Sequence, residues 1–411
     1  MKFLEIFLGI LTAVGGFVEI GELLFSMNAG AKFHFSLLWV IVLGTLGIIV
    51  YGEMAGRIAA VAREPVFDVI RDRTGPRLGI ITLVAAAIVG IATCAAEVGG
   101  VALILQLLFD LPYRLYIVLA LVFFLLVIWL LPFRWIERVF GLGGLLMLVF
   151  VATAIAMKPD WGEVAGGLIP KAPQLSSKGE YMSYAYYAVA LLSSIMLPYE
   201  TYFYASGGIE DDWSPRDVPL NRFISGVGFS LGGILSATLV IVGAMIFEPH
   251  HIEAELPGTA ALGPILAFGK AGLLLCLLGM FFAFAGATIE NCLSVAYNIT
   301  QFFNWDWGKR RKPGEVPRFT GIWLGVMVLA SAIVMTGVDP VQVVEYAIVF
   351  SVVILPFSYY PVLRTARDRG IMGSHANGRI ANALGVFYLV LVTLAAAAAI
   401  PLLIITHSGK S

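Results

Sequence analysis

Seven glutamates sit inside segments that are otherwise apolar: Glu19, Glu22, Glu53, Glu97, Glu200, Glu290 and Glu345. A charged side chain within hydrocarbon costs several kcal/mol, so intramembrane acids mark ion pathways, proton relays or paired structural charges. All seven are of one sign, and the chemistry this predicts is attraction of a cation. Glu19 and Glu22 are spaced i, i+3, which puts both carboxylates on one face if the segment is helical. Gly15, Gly16 and Gly21 weaken that helix, and unwinding it would add free carbonyls beside the acids. Glu200 follows Pro198, which removes a backbone donor and breaks the helix. Several carboxylates at one site could not all stay ionised without a cation between them. Glu53 has Arg57 at i+4 and reads as one half of a structural ion pair. Glu345 follows the turn Gly337-Val338-Asp339-Pro340 and reads as solvated.

These acids need elements to hold them. Of 411 residues, 59% are apolar and 13% charged, whereas a soluble domain runs nearer half apolar and a quarter charged. Each membrane span needs roughly 20 apolar residues, and backbone groups in lipid must be satisfied internally, so the spans are helices. The sequence predicts eleven, at about 3–27, 36–62, 78–108, 114–132, 136–157, 183–205, 222–247, 268–303, 319–336, 340–363 and 381–406. The opening segment reads as the first span, since Glu5 and Glu19 interrupt any signal-peptide core. The connections are short and rich in Pro and Gly, and none is long enough for a soluble domain. A cytoplasmic N-terminus leaves only Lys32, Arg114, Lys158, Lys171, Lys178, Lys270 and Lys410 of the 26 basic residues outside. That orientation satisfies the positive-inside rule and puts the C-terminus outside. The net charge of −1 gives no case for nucleic acid. Cys94, Cys276 and Cys292 lie far apart in apolar runs and read as small core residues.

Two interrupted hydrophobic segments, five spans apart, point to an inverted-repeat transporter with its site near the midplane. The interruptions are AVGGFVEIGELLF in the first span and SSIMLPYETYFYASGG in the sixth. The sixth is also dense in aromatics: Tyr181, Tyr184, Tyr186, Tyr187, Tyr199, Tyr202, Phe203 and Tyr204. Tyrosine faces near carboxylates can hold an ammonium group. The outer four also fit an interfacial aromatic belt, as do Trp135, Trp305 and Trp307. Glu248, His250 and His251 in an outer loop could touch a metal, although adjacent loop histidines are more often solvated. Gly308-Lys309-Arg310-Arg311-Lys312 is a topology signal on the inner side. Asn291 and Asn298 either line the inner path or join helices.

The run AVGGFVEIGELLFSMNAGAKFHFSLLWV resembles the first span of the NRAMP divalent-metal transporters. CAAEVGGVALILQLLFDLP, MKPDWGEVAGGLIP, LPYETYFYAS and VVILPFSYYPVLRTARDRGIMG resemble later parts of that family, in order along nearly the whole chain. The resemblance implies an all-α, LeuT-like membrane fold of two inverted five-span repeats, about 1–157 and 183–363 in this chain, plus an extra helix at about 381–406. It forms one transmembrane unit, with the first and sixth spans broken. It implies a secondary transporter, not an enzyme, with a divalent cation as substrate and no tightly bound cofactor. The partners it implies are the cation and the lipid of the cell (inner) membrane, with no obligate protein partner evident. The metal residues by correspondence are Glu19, Glu22, Ser194, Leu197 and Glu200. Tyr199, Tyr204 and Glu290 fall on the substrate pathway, and Glu97 and Glu53 are candidates for moving a proton.

The site departs from the family pattern. Asp-Pro-Gly-Asn becomes Glu19-Ile20-Gly21-Glu22, and the family's Met becomes Leu197. Its two His positions become Tyr199 and Tyr204, and the third-span Asp becomes Cys94. Two tenth-span Gln positions correspond to Ile348 and Ile354. Loss of the thioether and gain of carboxylates favour harder ions such as Mn, Mg or Ca. Loss of the His and Asp residues removes groups that the resemblance assigns to proton movement. The competing expectation is a carrier of an organic cation or amine on the same fold.

Overall fold

The computed structural model of the chain describes residues 18–109, 111–171, 175 and 177–409. The first half of the expected first span, with Glu5, Gly15 and Gly16, lies outside the described residues, as does Lys410. The helices are α1 (Ile20–Phe33), α2 (Leu38–Ala62), α3 (Val66–Thr74), α4 (Pro76–Leu108), α5 (Tyr113–Leu130), α6 (Phe133–Gly144), α7 (Val149–Ala156) and α8 (Trp161–Gly167). There follow α9 (Lys178–Ile195), α10 (Pro198–Glu210), α11 (Val218–Val242), α12 (Leu262–Phe302), α13 (Pro317–Met335), α14 (Pro340–Arg367) and α15 (Arg379–Ile405). Among the described residues nine helical segments are long and apolar enough to cross a bilayer. The described part of the first expected span is α1, and the sixth expected span is the α9–α10 pair. Large apolar side chains such as Ile81, Leu130, Ile380 and Leu394 remain exposed on the outer helix faces, as lipid contact requires.

Sequence explains where the helices deviate. The fifth span runs from α6 through a 3₁₀ turn, Leu145–Leu148, into α7. Gly143 sits there because a Cβ would lie 2.1 Å from the Phe282 ring. The seventh span passes from α11 into a π-helical turn, Gly243–Phe247. A Cβ on Gly243 would lie 2.1 Å from the Met27 carbonyl oxygen, and one on Gly30 2.0 Å from that of Val240. Backbones of α1 and α11 therefore touch, which only glycine allows.

Two connections read as loops are helical. Val66, Phe67, Val69 and Ile70 are buried on one face of α3, and Arg71 anchors that helix to the Gln301 and Phe302 carbonyls at 3.0 Å each. Asp160 caps α8, accepting from Gly162 N at 2.7 Å. The long α4 packs most heavily on α12 and α14, so the third, eighth and tenth spans form the frame on which the broken segments rest.

Candidate functional site

The start of α1 and the interruption of the sixth span fall where the sequence weakens the helix. Glu19 is extended (φ −93°, ψ 172°) and α1 starts at Ile20. In the sixth span, α9 stops at Ile195; Met196 and Leu197 leave the helical region (φ −104°, ψ 38° and φ −57°, ψ 129°), and Pro198 opens α10. Since Pro198 has no N–H, the Ser194 carbonyl lacks the donor that would stand four residues on.

The carboxylates gather at these breaks. Glu19, Glu22 and Glu97 are completely buried, and Glu200 nearly so. Glu22 accepts from Ser26 Oγ at 2.7 Å and from Ser194 Oγ across the two broken segments. Glu97 Oε1 accepts from Ile20 N at 2.8 Å, satisfying one of the orphan donors at the start of α1. Its Oε2, both carboxylate oxygens of Glu19 and both of Glu200 are buried without a hydrogen-bond partner. Glu19 feels the charges of Glu22, Glu97 and Glu200. Tyr199 is buried in the field of Glu19, Glu200, Glu290 and Glu97.

Among the described residues no three Asp, Glu, His or Cys side chains are gathered closely enough to enclose an ion by themselves. An ion held at the breaks would have to complete its shell with hydroxyls and backbone carbonyls. Leu197 can offer only its backbone. Ile348 packs against α1 at Gly21, its Cδ1 lying 2.1 Å from where a Gly21 Cβ would stand. Ile354 is buried one and a half turns further along α14. Cys94 is buried against the Thr288 carbonyl (3.8 Å).

Several expected residues stand apart from this cluster or in different roles. Glu53 is gripped bidentately by Arg57 (2.9 and 3.0 Å) and reached by Arg222 (3.3 Å). Arg57 also bonds the His375 carbonyl and Asn377 Oδ1. That geometry is the ion pair expected of Glu53 with Arg57. The Tyr204 hydroxyl donates to Asn221 Oδ1 at 2.9 Å and its ring packs on Trp213 and Phe229. Asn221 in turn donates to the Glu53 carbonyl at 2.9 Å, so Tyr204 belongs to the paired knot around Glu53. Tyr184, Tyr186 and Tyr187 are buried and pack edge-on against Phe25 and Phe33 of α1 rather than lying at an interface; Tyr181 is exposed.

The outer histidine cluster is also rearranged. His250 turns back onto the Ile246 carbonyl at 2.8 Å. His34, which no sequence motif singles out, meets Glu248 at 2.5 Å and Glu163 at 3.6 Å. These residues line a vestibule of about 770 Å³. Only a fold that brings the end of α1 beside the end of α11 makes this contact, and no local signal announces it.

The comparison with known proteins decides the family. The profile described as natural resistance-associated macrophage protein-like, Nramp, matches residues 9–401. The chain belongs to the Nramp family. Its relatives include a protein of Ralstonia nicotianae named divalent metal cation transporter MntH, 25% identical over 401 residues and covering 92% of this chain and 86% of the relative. A Pseudomonas aeruginosa protein named divalent metal cation transporter MntH 1 is 26% identical over 402 residues, with the same coverage. The fold is similar to that of the Eremococcus coleocola manganese transporter (TM-score 0.77, 23% identity, 95% of this chain and 84% of that one). It is also similar to Mhp1, a nucleobase-cation-symport-1 family transporter (TM-score 0.59, 13% identity, 98% and 92%). The Nramp chain is thus a multi-pass membrane transporter of LeuT-like fold and not an enzyme.

Proposed function

We propose that this Nramp protein carries a hard divalent cation, Mn or Mg in type, between the two broken segments. One observation carries the reading: Glu19 presents two completely buried, unpartnered carboxylate oxygens beside Glu22 where α1 begins. Glu19 and Glu22 supply the charge. Carbonyls near Ser194 and Leu197 supply neutral oxygens, and Glu200 stands behind them. Oxygen ligands of this kind suit hard ions. The names of the bacterial relatives support a divalent metal as cargo.

Rocking of one repeat against the other exposes such a site alternately to each side. Glu97 links the two functions of the site, because it holds the start of α1 and keeps one free oxygen for a proton. The face carrying Arg57, Arg63, Arg71, Arg310 and Arg311 lies in the cytoplasm of the cell membrane, by the positive-inside rule.

A carrier of amines is the competing reading, and Tyr199 beside the carboxylates favours it. The packing of Tyr184, Tyr186 and Tyr187 against α1 removes those three rings from its support. Uptake into proteoliposomes separates the two. Mn uptake by the native protein that is abolished in Glu19→Ala bears out the metal reading. No uptake of Mn, Mg or Ca, together with thermal stabilisation by an alkylamine, overturns it.

A further inference from the structure

On α12, Asn291, Ser294 and Asn298 recur at i, i+3 and i+7, which sets them in line on one face. All three are buried, with 1%, 1% and 3% of their surface exposed. Asn291 Oδ1, Ser294 Oγ and Asn298 Oδ1 nevertheless have no hydrogen-bond partner. Asn291 Nδ2 donates to the Ala287 carbonyl at 3.0 Å, which fixes the amide and leaves its oxygen facing away. A buried polar atom left unpaired costs about 1–3 kcal/mol, so three in a row require a donor or a cation.

They open on a narrow cavity that Thr93, Leu197 and Tyr199 also line. The cavity therefore begins at the break of the sixth span. It holds about 340 Å³ of space between atoms, of which about 10 Å³ admits the centre of a water molecule, room for about one ordered water. None of its lining residues is charged. Amide and hydroxyl oxygens favour cations, and their neutrality keeps the hold weak enough for passage. A further carboxylate at this point would trap a divalent ion.

We propose that this face of α12 is a second, neutral-oxygen station for the cation, one that receives it with part of its water shell between the central carboxylates and the basic side. The proposal rests on the cation-carrier reading above. Small hard ions shed water reluctantly and keep several waters when bound, which a station offering both side-chain oxygens and a water position accommodates. From Asn298 the helix runs on to Gln301 and Phe302, whose carbonyls Arg71 holds at the basic surface.

The test uses two readouts on the full chain. In Asn291→Leu and Asn298→Leu, initial Mn uptake should fall about tenfold while Mn affinity by calorimetry stays within about twofold, the signature of a group used in transit. Asn298→Ser, which restores an oxygen, should recover much of the rate. Unchanged uptake in both leucine variants overturns the proposal, as does affinity falling in step with rate, which marks a structural role. The second readout is independent of metal transport. Asn298→Cys in membranes should react about tenfold faster with a cationic than with an anionic thiol reagent, against the native protein with its three buried cysteines as baseline. Equal rates, or no reaction above that baseline, overturn it. If the native protein takes up no metal, the carrier reading fails, and the labelling still decides whether this seam admits cations.

Discussion

The basic end of the molecule and its centre use buried charge in opposite ways. At the basic end the acids meet a cation or a row of donors. Glu53 sits between Arg57 and Arg222. Arg310 reaches Asp211, and Glu210 accepts from Tyr297 at 2.7 Å and from the backbone N–H groups of Lys309 and Arg310. At the centre Glu19 and Glu200 have no partner and Glu97 only a half share. A buried charge that serves architecture is neutralised by its own chain, because an unpaired one is costly. Carboxylates left unmatched between two helix breaks are held ready for a charge that arrives from outside.

That contrast can be broken at either region. The largest effect belongs to Arg57→Met, which leaves the half-buried Glu53 with only the exposed Arg222 and takes a donor from the His375 carbonyl and from Asn377, and should destabilise the protein by about 3 kcal/mol. It should leave cation affinity at the centre unchanged; a melting temperature equal to that of the native protein would show that the knot is ornamental. Next comes Glu22→Gln, expected to weaken Mn binding about a hundredfold with little loss of stability, since one of Ser26 and Ser194 can still donate to the amide oxygen and the other can accept from the amide nitrogen. Glu97→Leu leaves the Ile20 N–H without its acceptor and should cost about 1–3 kcal/mol. Glu97→Gln keeps that acceptor and should restore the melting temperature.

The smallest expected effect lies outside the membrane, at Asp68 on α3. Burial, only partly offset by Arg71, pushes its carboxyl up to about 6. A carboxyl raised on folding binds its proton more tightly in the native state. Its contribution is therefore full below about pH 4 and is lost as pH rises through about 6. Asp68→Asn should flatten the fall of stability over that interval, by about 1 kcal/mol once screening by solvent is allowed for. An unaltered pH profile would show that Asp68 has no part in it.

What the sequence disclosed and what it withheld divide along the same line as local and distant contacts. Pro198 and the stretch around Gly21 announce both breaks, because the loss of a donor or of helix propensity is a local property. Eleven spans are legible for the same reason, as each is a run of apolar residues. Glu53 with Arg57, four residues apart, is readable too. The bonds that give the central acids their roles are not local. Glu97 finds the Ile20 N–H across 77 residues and Ser194 finds Glu22 across 172. His34 meets Glu248 across 214 residues, while the conspicuous pair His250-His251 is not part of that contact. Tyr184, Tyr186 and Tyr187 fit an interfacial belt by their place in the sixth span, and only the packing of α9 against α1 buries them.

The most direct measurement is calorimetric titration of Mn, Mg and Ca into the purified native protein and Glu22→Gln at several pH values. Unmatched carboxylates predict saturable binding that weakens as pH falls, because protonation removes the ligand, and that nearly vanishes in the variant. Binding of equal strength in the variant, or binding indifferent to pH, would contradict the central role of Glu19 and Glu22.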